Sequence, residues 1–293
     1  MPGTLHIVDV FAEQRYAGNP LAVVTRADSL SSEQMQAIAA EINYSETTFV
    51  GSTVNADGSH PVRMFTPARE IAFAGHPILG TAWVIRHESP TPPASVVLDL
   101  QVGPVPVVFE ADTQGREVCW FTAPPITLGP TCASEPIAAA LGLSPGDIDP
   151  AGPVQQCGAG TAAMVVPLRS LAALRRCALD LGVYQALAAQ GFPPLVYAFC
   201  RETRDPRNQL SARFFFEAHG VREDPATGNG AAFLGAYLLR HGLLGASDLS
   251  LRIEQGHEVR RPSLVQLRAR LADDGPLIEV GGGVVPTVRG ELV

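Results

Sequence analysis

"EDPATGNGAAFLGAYLL" runs from Glu223 to Leu239 and reads as a carboxylate, a glycine turn and the opening of an apolar helix. An earlier stretch, "REIAFAGHPILGTAWVI" from Arg69 to Ile85, has the same layout. Gly75 and Gly228, the first glycines of the two turns, are separated by close to half the chain. Upstream of them, "RMFTP" (Arg63–Pro67) matches "ARFFFEA" (Ala212–Ala218). Downstream, "GTAWVIRH" (Gly80–His87) matches "LGAYLLRH" (Leu234–His241) with one inserted residue. The pattern is an internal duplication of strand, acid-bearing loop, glycine turn and helix, with too few copies for a solenoid. It predicts two related domains that face each other and bring both turns to one cleft.

A helix start leaves backbone N–H groups unpaired and carries the positive end of the helix dipole, so it attracts anions. Glycine lets the backbone approach a ligand closely. Two such openings are suited to hold a carboxylate or an enolate-like oxygen, and an acid beside them, Asp224 or a neighbour, is placed to move protons. The plainer use of Gly-Asn-Gly before a helix is a loop with an N-cap. Two matched copies favour a functional use. Glu46, in "NYSETTFV" (Asn43–Val50), lies between a predicted helix end and an apolar strand. A lone glutamate there is ordinarily a solvated turn residue, but one raised by burial above its usual value of about 4.3 is a workable proton carrier. His76 follows the helix-opening Gly75 and precedes Pro77, a residue suited to the first helical turn, so its ring is within reach of a ligand held there.

Composition narrows the function classes. The chain has 293 residues, 46% of them hydrophobic and 17% charged, and a net charge of −8. An acidic chain lacks the basic face that a nucleic-acid binder uses to displace counterions. No apolar run reaches the roughly 18 residues of a membrane helix. The opening "MPGTLHIVDVF" reads as a strand rather than a leader, so a cytoplasmic protein is expected. The five cysteines, Cys119, Cys132, Cys157, Cys177 and Cys200, are odd in number and show no CxxC spacing. They predict reduced thiols packed as small apolar residues, with neither a disulfide framework nor a zinc site.

Strands are predicted at Leu5–Val10, Leu21–Thr25, Thr47–Val50, Val62–Phe65, Val96–Leu100, Val105–Phe109 and Glu117–Phe121. Helices are predicted at Ser32–Ile42, opened by the capping pattern "SSEQ", and at about His76–His87. "APPITLGPTCASEP" (Ala123–Pro136) reads as a linker. In the second half, helices are predicted at Ser134–Leu141, Leu171–Ala189 and Gly230–His241. Strands are predicted there at Ala163–Leu168, Leu195–Cys200, Ala212–Glu217, Leu249–Ile253, Leu264–Ala269 and Leu277–Val280. The tail "GGGVVPTVRGELV" reads as a last strand returning to the first domain, so the expected domains are 1–124 with 282–293, and 125–281. "CGAGTAA" (Cys157–Ala163) loosely suggests a dinucleotide loop, but it lacks the third glycine and precedes a strand. GxxxxGK[ST] and HExxH are absent.

"DVFAEQRYAGNPLAVV" (Asp9–Val24), "NYSETTFV", "FTPAREIAFAGHPILGTA" (Phe65–Ala82), "EDPATGNGAA" and "GGGVVPTVRGEL" together resemble the PhzF-type isomerases of phenazine biosynthesis, over nearly the whole chain and in the same order. That family shares a fold with diaminopimelate epimerase and proline racemase. The resemblance implies an α/β (α+β) protein of two pseudo-symmetric domains, each a barrel-like sheet around a central helix, and a cytoplasmic homodimer without cofactor or metal. It assigns Glu46, His76 and Asp224 to catalysis and Gly75, Gly228, Asn229, Gly230 and Asn19 to substrate binding. In the epimerase relatives two cysteines open the turns; the matching positions here are Ala74 and Thr227, which disfavours thiol-based epimerisation. A family serine is replaced by Asn229, so the substrate is expected to depart from the phenazine precursor. The implied reaction is a double-bond shift in a small unsaturated amino-carboxylate, in antibiotic or other secondary metabolism. Glu46 removes an allylic proton, and Glu46 or Asp224 returns it. A racemase using other bases, a binding protein that has lost catalysis and a nucleotide-dependent oxidoreductase are the competing readings.

Overall fold

The computed structural model describes residues 3–193, 195–216, 221–273 and 275–293. Glu217 and Ala218, the ends of an expected strand and of one matching stretch, lie outside the described residues. The chain divides into two compact units, Met1–Thr122 with Gly281–Val293, and Ala123–Val280.

The first unit contains β1 (Thr4–Val10), β2 (Asn19–Thr25), α1 (Ser32–Ile42), β3 (Thr47–Val50), β4 (His60–Phe65), β5 (Glu70–Ile71) and α2 (Gly75–Glu88). It continues with β6 (Ser95–Leu100), β7 (Gly103–Ala111) and β8 (Glu117–Thr122), and is completed by the C-terminal strand Val284–Glu291. That last strand pairs antiparallel with β1, as the tail predicts. β1 pairs with β2, β2 lies parallel to β3, β3 is antiparallel to β4, and β4 lies parallel to β6. β6, β7 and β8 form an antiparallel meander. The helix α2 packs against β1, β2, β3, β6, β7, β8 and the C-terminal strand, so it is the core of the unit. Its Gly80 permits this. A Cβ there would lie 2.6 Å from a Leu21 methyl and 2.8 Å from a Val10 methyl. On the outer face of the sheet, α1 buries Met35 and Ala39 against Val24, Phe49 and Phe65. The capping box forms as the sequence predicts: Ser31 Oγ accepts from Gln34 N, and Ser31 N donates to Gln34 Oε1.

The second unit holds β9 (Thr127–Cys132), α3 (Ser134–Ala140), β10 (Val154–Ala159), β11 (Thr161–Pro167), α4 (Leu171–Arg176), α5 (Leu181–Ala189) and β12 (Val196–Cys200). It ends with β13 (Leu210–Phe216), β14 (Val221–Asp224), α6 (Gly228–His241), β15 (Asp248–Gln255), β16 (Ser263–Ala272) and all but the last two residues of β17 (Gly275–Gly282). The pairing repeats that of the first unit. β11 lies parallel to β12, β12 is antiparallel to β13, and β13 lies parallel to β15. α6 is the central helix, buried from Gly228 to Leu238 except at Asn229. It packs on β10, β11 and β16. An outer core of Ile137, Leu174, Tyr184, Val196, Ala198 and neighbours lies under α3, α4 and α5.

Two expectations require correction. The Ala123–Pro136 stretch is not a plain linker: it carries β9, which pairs with β10, and the start of α3. The predicted helix Leu171–Ala189 is two helices, because Asp180 caps a new start by accepting from Val183 N. "CGAGTAA", discounted as a nucleotide loop from the sequence, is the turn of the β10–β11 hairpin, with Gly160 at φ +75°. β5, β10 and β14 escaped the sequence reading. Among the described residues no helix is long and apolar enough to cross a membrane.

Candidate active site

In the first unit the predicted residues converge at the start of α2. Asn43, at φ 57°, ends α1 in the left-handed conformation and turns the chain toward β3, leaving Glu46 just before the strand. Asn19 opens β2 and pairs in register with Val10. His76 is the second residue of α2. Its Nε2 lies 3.5 Å from Glu46 Oε2, and its Nδ1 lies 3.4 Å from Asn19 Nδ2. Asn19, Glu46, Gly75 and His76 therefore form one cluster from three separate segments.

His76 is 5% exposed. Burial pushes its pKa down to about 3, overcoming the opposing effect of the Pro20 carbonyl. The ring is neutral at ordinary pH and presents Glu46 with an uncharged imidazole nitrogen. A neutral ring has one N–H and one lone pair, so it can polarise or relay without carrying a positive charge. Ala74, the N-cap of α2, provides no side-chain hydrogen bond to the first turn.

In the second unit Asp224 closes β14 and is 6% exposed. Thr227 Oγ1 donates to Asp224 Oδ2 at 2.5 Å. Thr227 is the N-cap of α6, yet its hydroxyl caps nothing, because it is spent on Asp224. Gln255, at the end of β15, holds this corner. Its Nε2 donates to the Asp224 carbonyl at 2.9 Å and to Thr227 Oγ1 at 3.1 Å, and its Oε1 accepts from Thr227 N at 3.4 Å. Gly228, Asn229 and Gly230 follow as the first turn of α6, with Asn229 half-buried. Each unit thus offers a helix start without a side-chain cap beside a carboxylate: Glu46 in the first, Asp224 in the second.

Sequence reasoning did not find Gln255 or the bond from Thr227 to Asp224. The spacing Asp-x-x-Thr was the available signal for the second, since short polar side chains at that spacing hydrogen-bond locally. Gln255 had none, because its use depends on β15 running beside the α6 corner. The cysteines take no part. Cys119, Cys157, Cys177 and Cys200 are buried, and all five are free. Burial pushes the thiols of Cys157 and Cys177 up to about 12 and that of Cys200 up to about 11.

Comparison with known proteins places this geometry. Residues 8–290 match the family model of phenazine biosynthesis-like proteins, PhzC-PhzF. The chain belongs to the PhzF family of isomerases. It is 37% identical over 291 residues to the trans-2,3-dihydro-3-hydroxyanthranilate isomerase of Pseudomonas chlororaphis, covering 98% of each chain. A PhzF-family phenazine biosynthesis protein of Bacillus anthracis superposes with a TM-score of 0.90 at 25% identity, over 100% of this chain and 99% of that one. A probable proline racemase from Agrobacterium radiobacter shares the fold, with a TM-score of 0.62 at 13% identity over 99% of this chain and 93% of that one. The expected family and the diaminopimelate epimerase-like α/β fold are therefore shown, and the chain is an isomerase of the PhzF type.

Proposed function

We propose that this PhzF-family isomerase shifts a C=C double bond by proton transfer in a small unsaturated amino-carboxylate of secondary metabolism, with Glu46 as the proton carrier. The observation that carries the reading is the Glu46 carboxyl 3.5 Å from a buried, neutral His76. In this reading Glu46 removes an allylic proton, and the electron pair delocalises toward the substrate carboxylate. Backbone N–H groups at a helix start, with His76, stabilise the charge that develops. Asp224 supplies a second polar contact, and the proton returns at another carbon of the same conjugated system. Atoms balance, since the product is a positional isomer.

The Pseudomonas relative's name supports a cyclic amino acid with a misplaced double bond as the substrate class. Ala74 and Thr227, where the epimerases place thiols, argue against thiol-based racemisation. Asn229, an amide in place of the family serine, donates and accepts hydrogen bonds but does not deliver protons, which suits a contact to carboxylate or carbonyl.

The test is deuterium incorporation from D2O into trans-2,3-dihydro-3-hydroxyanthranilate and related unsaturated amino-carboxylates, followed by NMR. Glu46→Gln is expected to slow exchange by about 10²–10⁴-fold, the usual contribution of a positioned acid–base group. Undiminished exchange in that variant removes Glu46 from the reaction.

A further inference from the structure

Tyr197 lies mid-way along β12, fully buried, and its hydroxyl has no hydrogen-bond partner among the described residues. An orphaned buried hydroxyl is costly, and such groups in a native fold call for an explanation. The surroundings provide one. In the sheet register Tyr197 stands opposite Phe214, and Phe214 stands opposite Asp224. Residues directly opposite one another project from the same face. That face carries α6. A Cβ on Gly230 would lie 2.6 and 2.7 Å from two carbons of the Tyr197 ring, so the glycine at the third position of α6 is what leaves room for the phenol. Tyr197 thus reaches beneath the first turn of α6, on the same side of the sheet as Asp224. The negative charge of Asp224 adds to burial in raising the phenol's pKa, so the O–H stays protonated and is a donor.

The duplicate half gives an internal control. Its matching row runs Thr48, Met64, Ile71 across β3, β4 and β5. There the strand hydroxyl is satisfied: Thr48 Oγ1 and Thr81 Oγ1 share a hydrogen bond of 2.7 Å. The second unit shows no such pairing of its strand hydroxyl among the described residues, and carries a longer donor on the row that ends in a candidate catalytic carboxylate.

We propose that Tyr197 is a positioning residue: its O–H donates a hydrogen bond to the Asp224 carboxylate when that carboxylate turns from Thr227 to engage substrate. The proposal rests on the reading of Asp224 given under Proposed function.

Tyr197→Phe keeps the ring and deletes the oxygen. Because the hydroxyl is unpaired at rest, the variant's Tm is expected to equal or exceed that of the wild type. A fall of more than about 4 °C would show a structural bond and overturn the proposal. On trans-2,3-dihydro-3-hydroxyanthranilate, kcat is expected to fall about tenfold with KM within about twofold, since the bond forms only in the engaged state. In an Asp224→Asn background the same change is expected to add less than about twofold, because both changes remove one interaction. Full kcat in Tyr197→Phe, or an equal loss in both backgrounds, overturns the role. A binding arm is independent of turnover: the aromatic analogue 3-hydroxyanthranilate is expected to raise the wild-type Tm more than that of either variant. If the wild type neither turns over the diene nor binds the analogue, the reading of Asp224 fails, and with it the partner that Tyr197 requires. Turnover and binding in the wild type, with Tyr197→Phe unaltered in both, sinks the Tyr197 role alone.

Discussion

His76 shows how strongly one buried side chain ties the site to solvent acidity. Its pKa is about 3 in the folded protein against an ordinary 6.5 when unfolded. Between those values the unfolded chain binds a proton that the folded chain refuses, so stability falls as the pH drops through that window. One such group contributes a slope approaching 1.4 kcal/mol per pH unit. Urea midpoints measured from pH 7 to pH 4 are expected to fall less steeply for His76→Gln than for the wild type. His6, His60, His241 and His257 are also held low by burial, so the difference between the two slopes is the informative quantity. Equal slopes would mean that the ring titrates as it does in water. At this scale the sequence marked His76 and Asp224 through their place beside glycine turns, and Glu46 through its place between a helix end and an apolar strand. It did not mark Thr227's bond, although Asp-x-x-Thr is a local signal, nor Gln255 and Tyr197, which matter only through neighbours from distant segments.

The duplication offers a matched experiment on the strands that precede each central helix. Arg63 in β4 bonds Glu70 in β5 through two nitrogens, at 2.7 Å each. Arg213 in β13 bonds Glu223 in β14 in the same way, at 2.9 and 2.6 Å. Each guanidinium also lies over a phenylalanine two residues on, Phe65 or Phe215. The surroundings differ. The side chains of Arg63 and Glu70 are 37% and 26% exposed, whereas those of Arg213 and Glu223 are 8% and 7% exposed. Arg213 further donates to the carbonyls of Leu174 and Cys177, which ties α4 to the sheet. Arg213→Ala is therefore expected to cost about 3–5 kcal/mol by leaving Glu223 buried and unpaired, and Arg63→Ala about 1 kcal/mol or less. Chemical denaturation of the two variants checks the contrast, and equal costs would contradict it. α1 was legible because its amphipathic spacing and capping box are local, and α2 and α6 because a glycine turn opens each apolar run. β5, β14 and the strand inside the Pro- and Gly-rich Ala123–Pro136 stretch were not, because pairing with a partner strand, rather than local propensity, holds them extended.

For the molecule as a whole, the return of the chain's end to its beginning is the feature with the clearest consequence. The strand Val284–Glu291 covers one edge of β1, with β2 on the other. Deleting residues 284–293 exposes a hydrogen-bonding edge and removes contacts to α2. The truncated protein is expected to lose on the order of 10 °C in Tm and to aggregate on warming. A thermal scan with light scattering reads both, and an unchanged scan would mean that the strand is dispensable. The amino-acid sequence by itself determined the duplication, the two glycine-led helix starts, the acids beside them and the family, because these rest on residue identities and spacings within short windows. Only the tertiary structure decided that His76 is dry and neutral beside Glu46, that Gln255 holds the Asp224 corner, and that Tyr197 lies unpaired under Gly230. Those facts depend on burial and on contacts between segments tens of residues apart, which no local window of the chain encodes.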